Sequence, residues 1–167
     1  MEEKREEGFI HLTAAEVEVI ATGLSLGRIL GKPHLTSKLS AKLSRITMVL
    51  KAEYQLIKDE KKKIMEKYAD KDEEGNPVID VIGENKNFRI DVSVEYKASK
   101  EIEEYMKTVA LPNEVYPKMA KVKVDLGTFK NSYKDKDGQL QLVFTGLDMV
   151  ALNGIIEFVG EFPDKDE

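Results

Sequence analysis

The chain has 167 residues, 41% of them hydrophobic and 34% charged, which suits one domain with a buried core and excludes a disordered tail-like protein. Its net charge of -5 argues against general nucleic-acid binding. With no cysteine, disulfides, thiol catalysis and cysteine-ligated zinc are all excluded, and His11 and His34 are the whole imidazole supply.

Residues 1–8 are highly charged and are expected to fray, as are residues 162–167. The opening MEEKREE is the opposite of a signal peptide, and no run reaches the roughly 18 apolar residues of a membrane span. A cytosolic protein is the expectation. Residues 9–12, FIHL, read as a short strand, and Thr13-Ala14-Ala15-Glu16 has the pattern of a capping box. A helix should follow, with Val17, Ile20, Ala21 and Leu24 on its apolar face and Gly27, Gly31 and Pro33 ending it. His11 in the strand and His34 in the next loop read as hydrogen-bonded structural histidines.

Residues 35–70, LTSKLSAKLSRITMVLKAEYQLIKDEKKKIMEKYAD, hold neither glycine nor proline. Leu39, Leu43, Ile46, Leu50, Tyr54 and Ile57 recur at helical spacing, and Ile64 and Tyr68 resume the stripe. The spacing predicts one helix about 50 Å long, capped by Thr36 or Ser37, and longer than a compact domain of this size needs. Its spacing drifts from a strict heptad, which disfavours a long coiled-coil seam. Residues 32–69 carry ten Lys or Arg against four acids, a local +6 that leaves -11 for the remainder. The polar second half, with Lys58, Lys61, Lys62 and Met65, reads either as a solvated face or as a partner-binding arm.

Residues 70–77, DKDEEGNP, start like a calcium loop, but the twelfth position is Val81 and Pro77 stands at the eighth, so a helix stop and polar turn fit better. Residues 78–82 and 88–92 flank 83–87 and predict a hairpin with a loose loop. A helix fits 95–109, with Ile102, Tyr105, Met106 and Val109 inward and Pro112 ending it. Residues 120–126 alternate as a strand with one buried face, and 129–133 with 139–144 predict a second hairpin about Asp135-Lys136-Asp137-Gly138. Thr145-Gly146-Leu147-Asp148 repeats the strand-to-capped-helix junction of Thr13 to Glu16. A last helix should bury Leu147, Val150, Ala151, Ile155 and Val159. The two junction units either pair in one sheet or merely share capping chemistry.

These elements make an α+β fold: a small antiparallel sheet of two hairpins plus terminal strands, packed by one long central helix and three shorter ones. Constellations that carry chemistry are not found: no phosphate-binding glycine loop after a strand, no HExxH, no GxSxG elbow and no triad with a nearby histidine. No catalytic residue, cofactor or metal is assigned.

Residues KLSRITMVLKAEYQLIKDEKKKIMEKYADKDEEGNPVID, then EYKASKEIEEYM and GLDMVALNGIIEF, resemble a family of uncharacterised small proteins of phages and prophages of Gram-positive bacteria. The resemblance covers residues 12–161; residues 115–144 are more strand-rich than the family's usual connection. It implies a phage origin and a product acting in the host cytoplasm, and it transfers no catalytic residues. The expected function is a non-enzymatic protein that binds a host or antiviral-defence protein by covering a surface. An alternative is a virion-assembly factor that forms a homo-oligomer through the long helix, and a weaker one a protein that sequesters a nucleotide or small ligand. For either partner reading the candidate surface is Leu39, Leu43, Ile46, Leu50, Tyr54, Ile57, Lys58, Lys61, Lys62, Ile64, Met65 and Tyr68.

Overall fold

A computed structural model of the chain describes residues 8–32, 35–110 and 119–161; Pro33, His34, Pro112 and the ends expected to fray lie outside them, apart from Gly8. The long helix forms as one piece. It is α3 (Ser37–Tyr68), 32 residues, about 48 Å at 1.5 Å per residue. Thr36 Oγ1 accepts from the Leu39 N–H at 3.3 Å and starts it. Leu39, Leu43, Ile46, Leu50, Ile57 and Ile64 are buried along its length.

Before it come β1 (Leu12–Thr13), α1 (Ala14–Thr22) and α2 (Leu24–Leu30). The capping box is present: Thr13 Oγ1 accepts from the Glu16 N–H at 3.2 Å and Glu16 Oε2 from the Thr13 N–H at 2.8 Å. The single helix expected here is two, because the chain turns at Gly23. The Gly23 N–H donates to the Val19 carbonyl, and a Cβ there would meet that oxygen at 2.8 Å, so the turn is closed to other residues. Leu24, expected inside, is exposed at the start of α2.

After α3 follow β2 (Ile79–Ile82), β3 (Asn85–Phe88), α4 (Val92–Met106), β4 (Val109–Ala110), β5 (Val122–Asp125), β6 (Ser132–Lys134), β7 (Leu140–Leu142), α5 (Gly146–Leu152) and β8 (Ile156–Val159). The fold is α+β. Among the described residues the strands form four separate two-stranded ladders rather than one sheet: β1 with β4, β2 with β3 and β6 with β7 antiparallel, and β5 with β8 parallel. Both hairpins are present. The two capped junctions do not pair with each other: β1 takes β4, and β7 takes β6.

Two further expectations are corrected. The helix expected at 95–109 is Val92–Met106, started by Asp91, whose carboxylate accepts from the Ser93 N–H at 2.8 Å; Val109 lies in β4. The last helix stops at Leu152, and Ile155 and Val159 do not share its face, because residues 156–159 are a strand. Leu147 and Val150, expected inside, are 82% and 72% exposed. At this break Gly154 lets Leu12 pack closely, since a Cβ on it would lie 2.7 Å from Leu12 Cδ2.

The main core gathers α1, α2, the first part of α3, β5 and β8. Phe144 lies at its centre, with its ring 5.4 Å from that of Phe129 and 5.3 Å from that of Phe158. On α3 this core reaches Ile57. Beyond it, the last three turns of α3, the β2–β3 hairpin and most of α4 form an arm whose buried apolar residues are only Ile64, Ala69 and Ala98.

Candidate functional site

The apolar stripe of α3 is not a surface. Leu39, Leu43, Ile46, Leu50 and Ile57 belong to the chain's own core, and Ile64 is buried in the arm, so none of the six is available to a partner or a second copy. This corrects the surface read from the sequence, and the reason is physical: a stripe at 3.6-residue spacing records only that a face is buried, not by what. Tyr54 is half-buried against the same core, with the Lys58 ammonium 5.7 Å from its ring centre.

The remaining candidates lie on the arm. Lys61 Nζ lies 3.0 Å from Glu18 Oε1 and ties α3 to α1. Tyr68 Oη donates to Glu101 Oε2 at 2.7 Å, and Lys67 Nζ reaches the same oxygen at 2.7 Å, tying α3 to α4. The bonds from Lys67 and then Tyr68 hold the Glu101 carboxyl below its ordinary range, and Glu101 in turn raises both the Tyr68 phenol and the Lys67 ammonium. One turn along α4, burial first and then the Glu53 and Glu60 carboxylates push the Tyr105 phenol up.

Lys62 and Met65 face a different environment. With Lys61 they form one wall of a cleft of about 530 Å3, whose opposite wall is Ile79, Lys86, Asn87 and Phe88 of the hairpin, with Ile102 of α4 closing the side. The hairpin is anchored at its base by Val78 N–H to the Asp70 carbonyl at 2.8 Å and Asp70 N–H to the Arg89 carbonyl at 2.8 Å. The Asp70 to Pro77 turn is built by its own side chains, with Asp72 Oδ1 accepting from the Glu74 and Asn76 N–H groups. Arg89 lies 2.5 Å from Asp80 Oδ1 and holds that carboxyl below its usual value.

Strand alternation and register put Ile79, Val81, Lys86 and Phe88 on one face of the hairpin, the face turned to the cleft, because Ile79 pairs with Phe88 and Val81 with Lys86. This face is not packed shut: Ile79 is 49% and Val81 63% exposed. The sequence alone missed Ile79, Lys86, Phe88 and Ile102 as a group. The sequence places Lys86 and Asn87 in a loop, whereas β3 begins at Asn85 after a two-residue turn in which Gly83 takes φ 63.

Among the described residues no cluster of three His, Asp or Glu side chains is placed to hold a metal ion, and no helix is long and apolar enough to cross a membrane. His11 is half-buried at the entry to β1. The arrangement sets lysines beside an apolar lining. Compared with family models, with curated proteins and with solved structures, the chain matches none.

Proposed function

We propose that the protein is a non-enzymatic binding protein that acts by covering a surface of another protein, and that the arm is the part that docks. One observation carries this reading: the arm holds an open cleft with apolar floor and lysine rim, in a chain whose net charge is -5. Its resemblance to phage proteins makes a host or antiviral-defence protein in the host cytoplasm the partner class. Self-association through the α3 stripe, which an assembly factor of the kind considered above would use, would require opening the main core.

The test is capture from a Gram-positive host lysate by the immobilised intact chain. A stoichiometric partner, retained at physiological salt and reduced when the arm is altered, is the expected result. Recovery of no stoichiometric protein, together with unchanged phage growth on defended hosts when the gene is deleted, would overturn the reading.

A further inference from the structure

Resting on that reading, we infer that the cleft between α3, the β2–β3 hairpin and α4 is the docking site for an acidic polypeptide segment that carries one bulky apolar side chain. Four residues, one each from α3, β2, β3 and α4, namely Met65, Ile79, Phe88 and Ile102, make its apolar lining. A volume of about 530 Å3 is in the range of about 300–1,000 Å3 that seats compact ligands, so a large side chain fits with room for its neighbours. The apolar face does not stop at the cleft. Val81 continues it toward the hairpin tip, sharing the strand face of Ile79 and lying 63% exposed. A ligand that covers both the cleft and Val81 is elongated, which favours a polypeptide over a compact small molecule.

Charge selects the kind of polypeptide. Lys62 on one wall and Lys86 on the other are both exposed, and neither takes part in the ion pairs formed among the described residues. Lys61, the third lysine, is already shared with Glu18. Lys62 and Lys86 thus put uncompensated positive charge on two walls of an apolar cleft, which carboxylates on either side of an inserted apolar side chain would balance. The hairpin wall is held at its base by the backbone bonds of Asp70, Val78 and Arg89, while Ile79 and Val81 on its cleft face stay exposed for an occupant to cover.

The experiment is selection of twelve-residue peptides from a random display library on the intact chain, with the enriched peptides then measured as fluorescein conjugates by anisotropy. The proposal expects acidic peptides with one large apolar residue. Their affinity should fall at least tenfold, about 1.4 kcal/mol, in the Lys62→Glu, Lys86→Glu double variant, and should weaken with added salt. Both lysines are exposed, so circular dichroism of that variant should match the parent. Val19→Asp, on the exposed side of α1, should leave binding unchanged. Neutral or basic enriched peptides, no enrichment, or an affinity indifferent to the double variant would each overturn the proposal. So would dodecanoate raising the melting temperature with no peptide enriched, which would give the cleft to a small amphiphile. If lysate capture succeeds while peptide selection fails, the binding function stands and only this site falls.

Discussion

Asp148 shows how much one side chain can do here. Although only 2% exposed, its Oδ2 accepts from the Thr145 N–H at 2.7 Å and from Thr145 Oγ1 at 2.7 Å, and it pairs with Arg28 of α2. It therefore closes the cap of α5 and ties that short helix to α2. Asp148→Ala removes the cap contact and leaves Arg28 without its carboxylate; the expected cost is about 2 kcal/mol in urea unfolding, and a loss below a few tenths would contradict the assignment. Gly23→Ala tests the other local constraint. Its added methyl meets the Val19 carbonyl oxygen at 2.8 Å, so the variant should unfold about 1–3 kcal/mol more easily. Both capping boxes were legible in the sequence, because Thr-x-x-Glu and Thr-x-x-Asp act within four residues. The partner of Asp148 was not, since Arg28 lies far away in the chain.

At the scale of elements, Glu101 with Lys67 and Tyr68 forms a tether inside the arm, between α4 and the end of α3. The Glu101 carboxyl is held below its ordinary 4.5 in the folded chain, so its contribution is present above that value and is lost as pH falls through the lower folded value. The phenol of Tyr68 and the ammonium of Lys67 are raised, so their contributions are present below their ordinary 10.0 and 10.5 and are lost as pH rises through the folded values. Protection of the α4 amides, taken relative to the intrinsic exchange rate at each pH, should therefore be highest between these limits and fall on both sides. Glu101→Gln should flatten the acid side; an unchanged acid limb would refute the tether. The sequence made α3 readable because a long run at one period admits a single interpretation. It hid the end of α5 and the strand β8 because Leu147, Val150, Ala151, Ile155 and Val159 keep helical spacing across the Asn153-Gly154 break. The pairing of β5 with β8 was equally invisible, because no local signal marks a parallel partner separated by a hairpin and a helix. Asn85-Lys86-Asn87 hid the hairpin register, and with it one wall of the cleft, by looking like loop.

Over the whole molecule, the same long helix serves two environments. Its first two thirds lie in the main core and its last turns carry the arm, so damage to the two parts should separate. Leu50→Ala should cost about 2–5 kcal/mol of global stability, whereas Ile64→Ala should chiefly speed amide exchange in α4 and the hairpin. Because the stripe is internal, light scattering should report a monomer. The claim that the arm is the docking part is tested most directly by a photocrosslinker placed in turn on the hairpin and on α1. With Val81 replaced by benzoylphenylalanine, irradiation in host lysate should give one discrete adduct, and with the same group at Val19 none. Adducts from Val19 alone would place the partner on α1 and contradict the account.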